Sequence, residues 1–476
     1  MTSGPTRVLI DPILTPYFGN CAEIKFPIYP PRQIYADLYS DVSAIVLSHE
    51  HLDHFHLESL FKIDRSTPFF VGPLMPACVL DAIIMMGFSP SRCKFNEPIV
   101  VGAFSIRLFP PGLDTIFWER RVSQILLTEA RTGSTSVSAF IAVDAEVSED
   151  FRDLVKERVF PIPDICLVSN NSQICPSGAF GAQNSIIPTY ESRVSPTAGL
   201  EILNELVLNT VRILGRPKII GICGNGYIDV TQLHGPFLFS DHAMMASAAS
   251  TLLNEVRIWG PLPGEKISYS SESYFIAADP NVKLDVERHT ELKQRLQEFV
   301  KTPQYVKIKS LTSDYSSQVE AEHALEIVLA ELNKIVPVAL TSQFGVSMLS
   351  TNEYLDGPLN GARFVVTLLG DQIPSRWNLL LDLNRCEFNP GEGSAEELLR
   401  KYPFGFECFL CDLEAVFDGR LQIWDLMGTA TRSWFLGSKY ASPMSFMIAA
   451  LSEQCRPDLA RRVISAEMSR LNSSPV

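Results

Sequence analysis

Histidine is scarce in this chain, eight in 476 residues, so imidazole ligands cannot be spread over several sites and any cluster of them carries weight. Cysteine is also sparse. Its ten residues show no secreted disulfide spacing, which points to reduced thiols and a cytoplasmic setting. The one close pair, Cys408-x-x-Cys411, lies in the alternating pattern Phe406-Glu407-Cys408-Phe409-Leu410-Cys411 with no second pair or nearby His, an argument against a zinc or redox role. No apolar run reaches the roughly 18 residues of a membrane span. The opening Met1-Thr2-Ser3-Gly4-Pro5 leads into a strand pattern without a basic n-region or an apolar h-region. Lys and Arg (40) are outnumbered by Asp and Glu (54), giving a formal charge of −14. No basic run offsets this, so a phosphate-backbone partner is not expected. A chain that is 46% hydrophobic can bury a large core and is expected to divide into two domains.

Against that background Ser48-His49-Glu50-His51-Leu52-Asp53-His54 stands out. It gathers three imidazoles and a carboxylate directly after the apolar stretch Ala44-Ile45-Val46-Leu47, which reads as a buried strand ending in a loop. Neutral imidazole and carboxylate suit zinc, iron or manganese rather than calcium. The alternate spacing lets His49 and His51 face one metal while Asp53 and His54 reach a second. A solvated polar loop is the competing reading.

The motif resembles the His-x-His-x-Asp-His signature of the metallo-β-lactamase superfamily, and Val8-Leu9-Ile10-Asp11-Pro12 looks like that family's early strand ending in Asp-Pro. The resemblance spans roughly residues 8 to 260. It implies an α/β fold, a four-layer αβ/βα sandwich, with metal-dependent hydrolases, redox enzymes and oxygenases as candidate activities. Strand-like runs such as Pro68–Gly72, Ile99–Gly102 and Phe104–Phe109, with helical patterns near Met75–Met86, after Asp144 and over about 196–213, fit two sheets with helices outside.

The superfamily usually adds a third His and then an Asp that bridges the metals. This chain has no His between His56 and His234. Where the third His is expected stands Ile125-Leu126-Leu127-Thr128-Glu129, and further on Phe140-Ile141-Ala142-Val143-Asp144, both apolar runs ending in an acid. Glu129 is therefore the expected replacement for the missing imidazole and Asp144 the expected bridge. A solvated strand-end acid and a helix N-cap are the respective alternatives. A carboxylate in that place adds charge and a hard oxygen ligand, which favours iron. Here the chain is similar to two oxygenase branches, the diiron β-hydroxylase of chloramphenicol biosynthesis and the metallo-β-lactamase-like domain of CMP-N-acetylneuraminate hydroxylase. The Cys-x-His and Cys-x-x-His pair of a Rieske cluster is absent from these residues, and no counterpart of the long N-terminal domain of the chloramphenicol enzyme is expected.

The resulting expectation is a non-haem diiron oxygenase, hydroxylating or oxidising the amine of a small molecule with dioxygen and an external reductant, its electrons coming from a separate donor. The six ligands would be His49, His51, Asp53, His54, Glu129 and Asp144. Glu129, Asp53 and His242 are the candidate catalytic groups. His242 and, less so, His234 are candidate metal or substrate contacts in the Gly-aromatic segment Leu233–His242, with helix capping there as the alternative. The second reading is a dinuclear hydrolase of a phosphodiester, lactone or amide holding two zinc ions and a metal-bound hydroxide. His289 and His323 fall in charged helical runs and are expected to be solvated. Residues 1–265 read as the catalytic domain, 266–340 as a helical linker, and 341–476 as a smaller α+β domain whose pattern is similar to sterol-carrier-like domains.

Overall fold

A computed structural model describes residues 1–21, 24–35, 38–115, 119–129, 136–169, 207–224, 226–227, 242–253, 255–270, 273–301, 308–342, 345–346, 362–370, 375–382, 384–394, 397–398, 402, 404–426, 430–435 and 443–473. Two sheets face one another. The first runs in the order Thr2–Ser3, Thr6–Ile10, Ala44–Leu47, Phe69–Val71, Pro90–Arg92, parallel apart from its first strand. The second has seven strands in the order Arg257–Trp259, Ile219–Cys223, Ile165–Ser169, Val137–Ile141, Gln124–Glu129, Phe104–Phe109, Ile99–Val101. Its first four are parallel and the remainder antiparallel.

The strand Ala44–Leu47 shows why the layers form. Side chains alternate across a strand, and both faces of this one are apolar. Ala44 and Val46 join Val8, Ile106, Leu108, Ile125 and Leu127 between the sheets. Ile45 and Leu47 point the other way, into a cluster with Val79, Ile83 and the C-terminal helix residues Ala460 and Ile464. Burying one such side chain contributes about 1.5–3 kcal/mol. A polar residue at any of the four positions would therefore break the layer it faces. The second sheet's outer face is covered in the same way by Phe151 and Val155 of the helix Glu149–Lys156, by Val207 and Leu214 of the helical stretch 207–214, and by Ala246 and Ala249 of the helix His242–Ser250. The order helix, sheet, sheet, helix is the four-layer α/β sandwich.

Beyond residue 285 come the helices Val286–Lys301 and Gln318–Thr341 and a five-stranded sheet ordered Glu387–Gly391, Arg376–Asp382, Ala362–Leu369, Phe404–Phe409, Thr431–Phe435. The helix Gln318–Thr341, whose charged pattern reads as linker, turns Ala321, Val328, Leu332 and Val336 onto this sheet and belongs to its core. The core is shared, because Phe18, Ile24, Phe26, Ile28 and Leu52 from the first part of the chain pack into it. Polar ties reinforce the join. Lys25 Nζ lies 2.7 Å from Glu467 Oε1, and Arg470 lies 3.3 Å from Glu58. Among the described residues no helix is long and apolar enough to cross a membrane.

Candidate metal centre

The chain leaves the strand Ala44–Leu47 directly into the motif, and Ser48, His49, Glu50 and His51 are all buried. Two strand ends flank it. Asp11 follows Thr6–Ile10 in a left-handed conformation, φ 44°, which Asp tolerates better than most residues. Its carboxylate accepts from Ser48 N at 2.7 Å and Ser48 Oγ at 2.5 Å. The same Oδ2 lies 2.8 Å from His54 Nδ1. Ser48 Oγ is also 2.9 Å from His49 Nδ1. Asp11 and Ser48 together thus hold the Nδ1 sides of two imidazoles and turn both Nε2 atoms inward, the support a metal-binding histidine commonly receives.

The inward atoms form two groups. His49 Nε2 is 3.6 Å from Glu119 Oε2, and His51 Nδ1 is 3.4 Å from the same oxygen. His54 Nε2 is 2.9 Å from Asp144 Oδ2 and 3.8 Å from Asp53 Oδ2. Asp144 Oδ2 also approaches His49 Nε2 at 3.8 Å, so it is within reach of both groups. Donor atoms in each of the trios His49–His51–Glu119 and Asp53–His54–Asp144 lie within 4.8 Å of one another. Asp53 is the open member, its side chain 43% exposed. Both His49 Nε2 and Glu119 Oε2 are fully buried without a hydrogen-bond partner. Leaving such atoms unmatched costs about 1–3 kcal/mol each, and a cation between them would satisfy both. The donor set and its orphaned atoms fit a pair of metal ions.

Electrostatics agree. Burial, helped by His54 and His51, pushes His49 well below the ordinary imidazole range. Burial also works against a charged His51, but Glu119 overrides it and raises the group to about 9. His54 rises well above its usual value because Asp144, Asp53 and Asp11 outweigh burial. Burial raises Glu119 despite the attraction of His51. On Asp144 burial pulls upward, yet His54 and hydrogen bonds from His54 and Ser169 bring it below the carboxylate norm. Protons thus occupy the cluster where metal charge would replace them.

Glu129 is not in this cluster. Its strand, Gln124–Glu129, runs antiparallel to Phe104–Phe109 and to Val137–Ile141, so its start faces the motif: Ser123 N donates to Ser48 O at 3.0 Å. Glu129 sits at the other end, roughly 17 Å along the strand, where it pairs across the sheet with Val137 and accepts from the Ser3 hydroxyl. The carboxylate beside His49 and His51 is Glu119, from the loop before that strand. Between Phe109 and the strand's end the only acids are Asp114, Glu119 and Glu129. The signal was present, but strand direction decided which acid counted. Asp144 lies where its strand predicts, although that strand ends at Ile141 and Val143 turns left-handed at φ 55°. The cap position of the following helix belongs to Ser148, not Asp144.

The remaining candidates fall elsewhere. His242 is a buried first residue of the helix His242–Ser250 and is absent from both donor trios. His234 lies outside the described residues. His56 is buried beside Ser59, 2.7 Å from its Oγ, and burial lowers it to about 3. His289 is buried against the Tyr29 ring at 5.5 Å rather than solvated, because its helix packs onto the first part of the chain. Two further residues escaped the sequence reading. Arg121 donates through Nε to Glu50 Oε1 at 2.5 Å, tying the Glu119 loop to the motif. Trp424, far along the chain, places its ring 4.9 Å from that of His51.

No family model and no curated protein matches this chain. Solved structures do. A possible metal-dependent hydrolase from Veillonella parvula DSM 2008 is 16% identical, covering 55% of this chain and 92% of that one at a TM-score of 0.36. An isothiocyanate hydrolase from Delia radicum gut bacteria is 15% identical over 57% and 95%, at 0.38. CmlA, a diiron β-hydroxylase from Streptomyces venezuelae, is 18% identical over 57% and 51%, at 0.35. At such identities and scores no activity or residue role transfers. The four layers and the donor cluster at a strand end are features of this chain itself and depend on none of these likenesses.

Proposed function

We propose that the protein is a non-haem diiron oxygenase acting on a small molecule. The observation that carries this reading is the buried carboxylate of Glu119 beside His49 and His51. Two imidazoles and one carboxylate form the donor set of non-haem iron oxygenases, and the partner trio, Asp53, His54 and Asp144, is richer still in carboxylate. Three carboxylates and three neutral imidazoles offset much of the charge of two cations and favour hard, higher-valent iron over zinc.

In this reading His49, His51 and Glu119 would hold one iron and Asp53 and His54 the second, with the Asp144 carboxylate available as a further ligand. Two reduced irons would supply dioxygen activation, with two electrons from an external donor and two protons balancing one hydroxylated product and one water. The protein's own part is positioning. Asp11 and Ser48 fix the imidazole orientations, and Arg121 locks Glu50 and with it the loop that brings Glu119 inward. The half-exposed Asp53 marks the side open to substrate and solvent.

The test is metal analysis of the purified chain followed by anaerobic reduction and exposure to oxygen, watched by Mössbauer spectroscopy. About two irons per chain, oxidised by dioxygen with substrate-dependent uptake, is the expected result. A colourless protein holding two zinc ions and hydrolysing a lactone or phosphodiester without reductant would overturn it.

A further inference from the structure

We propose that the C-terminal part of the chain builds a pocket for a primary ammonium group of the substrate, with Glu453 as its anionic partner and Trp424 as the wall shared with the metal centre. The inference rests on the assignment of a metal centre at His49 and His51. It names a feature of the substrate that the metal ligands leave open.

Trp424 meets the His51 ring on one side. It also lines a cavity of about 20 Å³, together with Gln422, Glu453, Leu421, Leu451 and Leu459. That volume admits one water-sized group, which is the size of an ammonium head. Its lining holds two unmatched acceptors beside the donors of Gln422 and Trp424. Glu453 is 9% exposed, and its Oε2 and the Oε1 of Gln422 are buried without a hydrogen-bond partner. A buried carboxylate oxygen without a partner is costly. Burial and then Glu50 push the Glu453 carboxyl upward, against a backbone hydrogen bond, His51 and Arg121, and the guanidinium of Arg121 is engaged with Glu50. A primary ammonium brings three donors and one positive charge, and its face-on approach to an indole is favourable. A carboxylate or phosphate would be repelled, and an alcohol would bring one donor and no charge. The pocket is anchored to the catalytic layers, because Cys78 Sγ donates to the Glu453 carbonyl at 3.7 Å.

The experiment is isothermal titration of the metal-loaded full chain at pH 7 with n-butylamine hydrochloride, n-butanol and sodium butyrate, with metal content measured on the same samples. Butylammonium should bind, and the alcohol and butyrate should not. Glu453→Gln should weaken butylammonium at least about tenfold, the scale of a lost charge-assisted hydrogen bond, with metal content unchanged. If that variant melts early, Gln422→Met provides the second reading, with a severalfold loss expected. Equal butylammonium affinity in the stable variant, or no preference for the amine over the alcohol, overturns the proposal and leaves a cavity that holds only water. The metal reading is tested separately. His49→Ala should lose metal yet keep butylammonium binding, so a failed metal assignment and a failed pocket give different results.

Discussion

Replacing Glu119 by Ala separates the arrangement described above from one based on Glu129. Glu119 Oε2 lies 3.6 Å from His49 Nε2 and 3.4 Å from His51 Nδ1 with no hydrogen-bond partner. In the absence of metal its removal relieves one orphaned buried acceptor but takes away the anion that keeps His51 protonated, so the metal-free protein should lose stability at neutral pH. With metal the loss is larger. Losing one of three ligands should weaken that site by at least about a hundredfold, more than the 10–100-fold typical of an outer supporting group. At a metal concentration that was a hundred times the original dissociation constant, the lost stabilisation is about 2.3 kcal/mol, the difference between a site occupied at that excess and one half-occupied. Thermal unfolding with and without ferrous iron, alongside metal content after dialysis, reads both effects. Glu129→Ala should leave iron content untouched, its carboxylate lying at the far strand end beside Ser3. Unchanged iron affinity in Glu119→Ala, or iron loss in Glu129→Ala, would refute the reasoning.

Three further outcomes follow from the same geometry. Asp11→Asn keeps a residue tolerant of the left-handed turn but weakens its hold on His54 and Ser48, so metal affinity should fall about 10–100-fold by chelator competition with little change in melting; an unaltered affinity would remove Asp11 from its supporting role. Metal affinity should rise with pH between about 6 and 9, because His51, raised to about 9, and His54, raised well above its usual value, must release protons to bind. The metal-free fold shows the opposite dependence: a raised His51 contributes stability that is complete below its unfolded value near 6.5 and lost as pH climbs through about 9. Titration in buffers of different ionisation enthalpy would detect the released protons, and a pH-independent affinity would contradict the assignment. Gly72→Ala should destabilise by about 1–3 kcal/mol and lower metal affinity as well, since the new Cβ would collide with the Oγ and Cβ of Ser123 and Ser123 anchors the loop start to Ser48; chemical denaturation together with metal titration would check both.

The local chemistry of the motif was readable without coordinates. Four apolar residues followed by His, His, Asp and His specify a buried strand that delivers ligands at its end, since alternation sends Ala44 and Val46 one way and Ile45 and Leu47 the other. Asp11 and Asp144 are also strand-end acids, and their placement follows from the runs that precede them. The helices Ala77–Met85 and Glu149–Lys156 follow from period and polarity in the same way. What pattern alone does not carry is direction. A period of two is the same read forward or backward, so the sequence could not say whether the start or the end of Gln124–Glu129 faced the motif. Only the antiparallel pairing with Phe104–Phe109 brings Glu119 to the histidines and carries Glu129 away. The tertiary structure likewise decided that Trp424 and Glu453, more than 300 positions from the motif, stand beside His51 and the helix Ala77–Met85. Such contacts depend on how two apolar surfaces dock, and docking is set by shape across the whole core, which no local window of residues encodes.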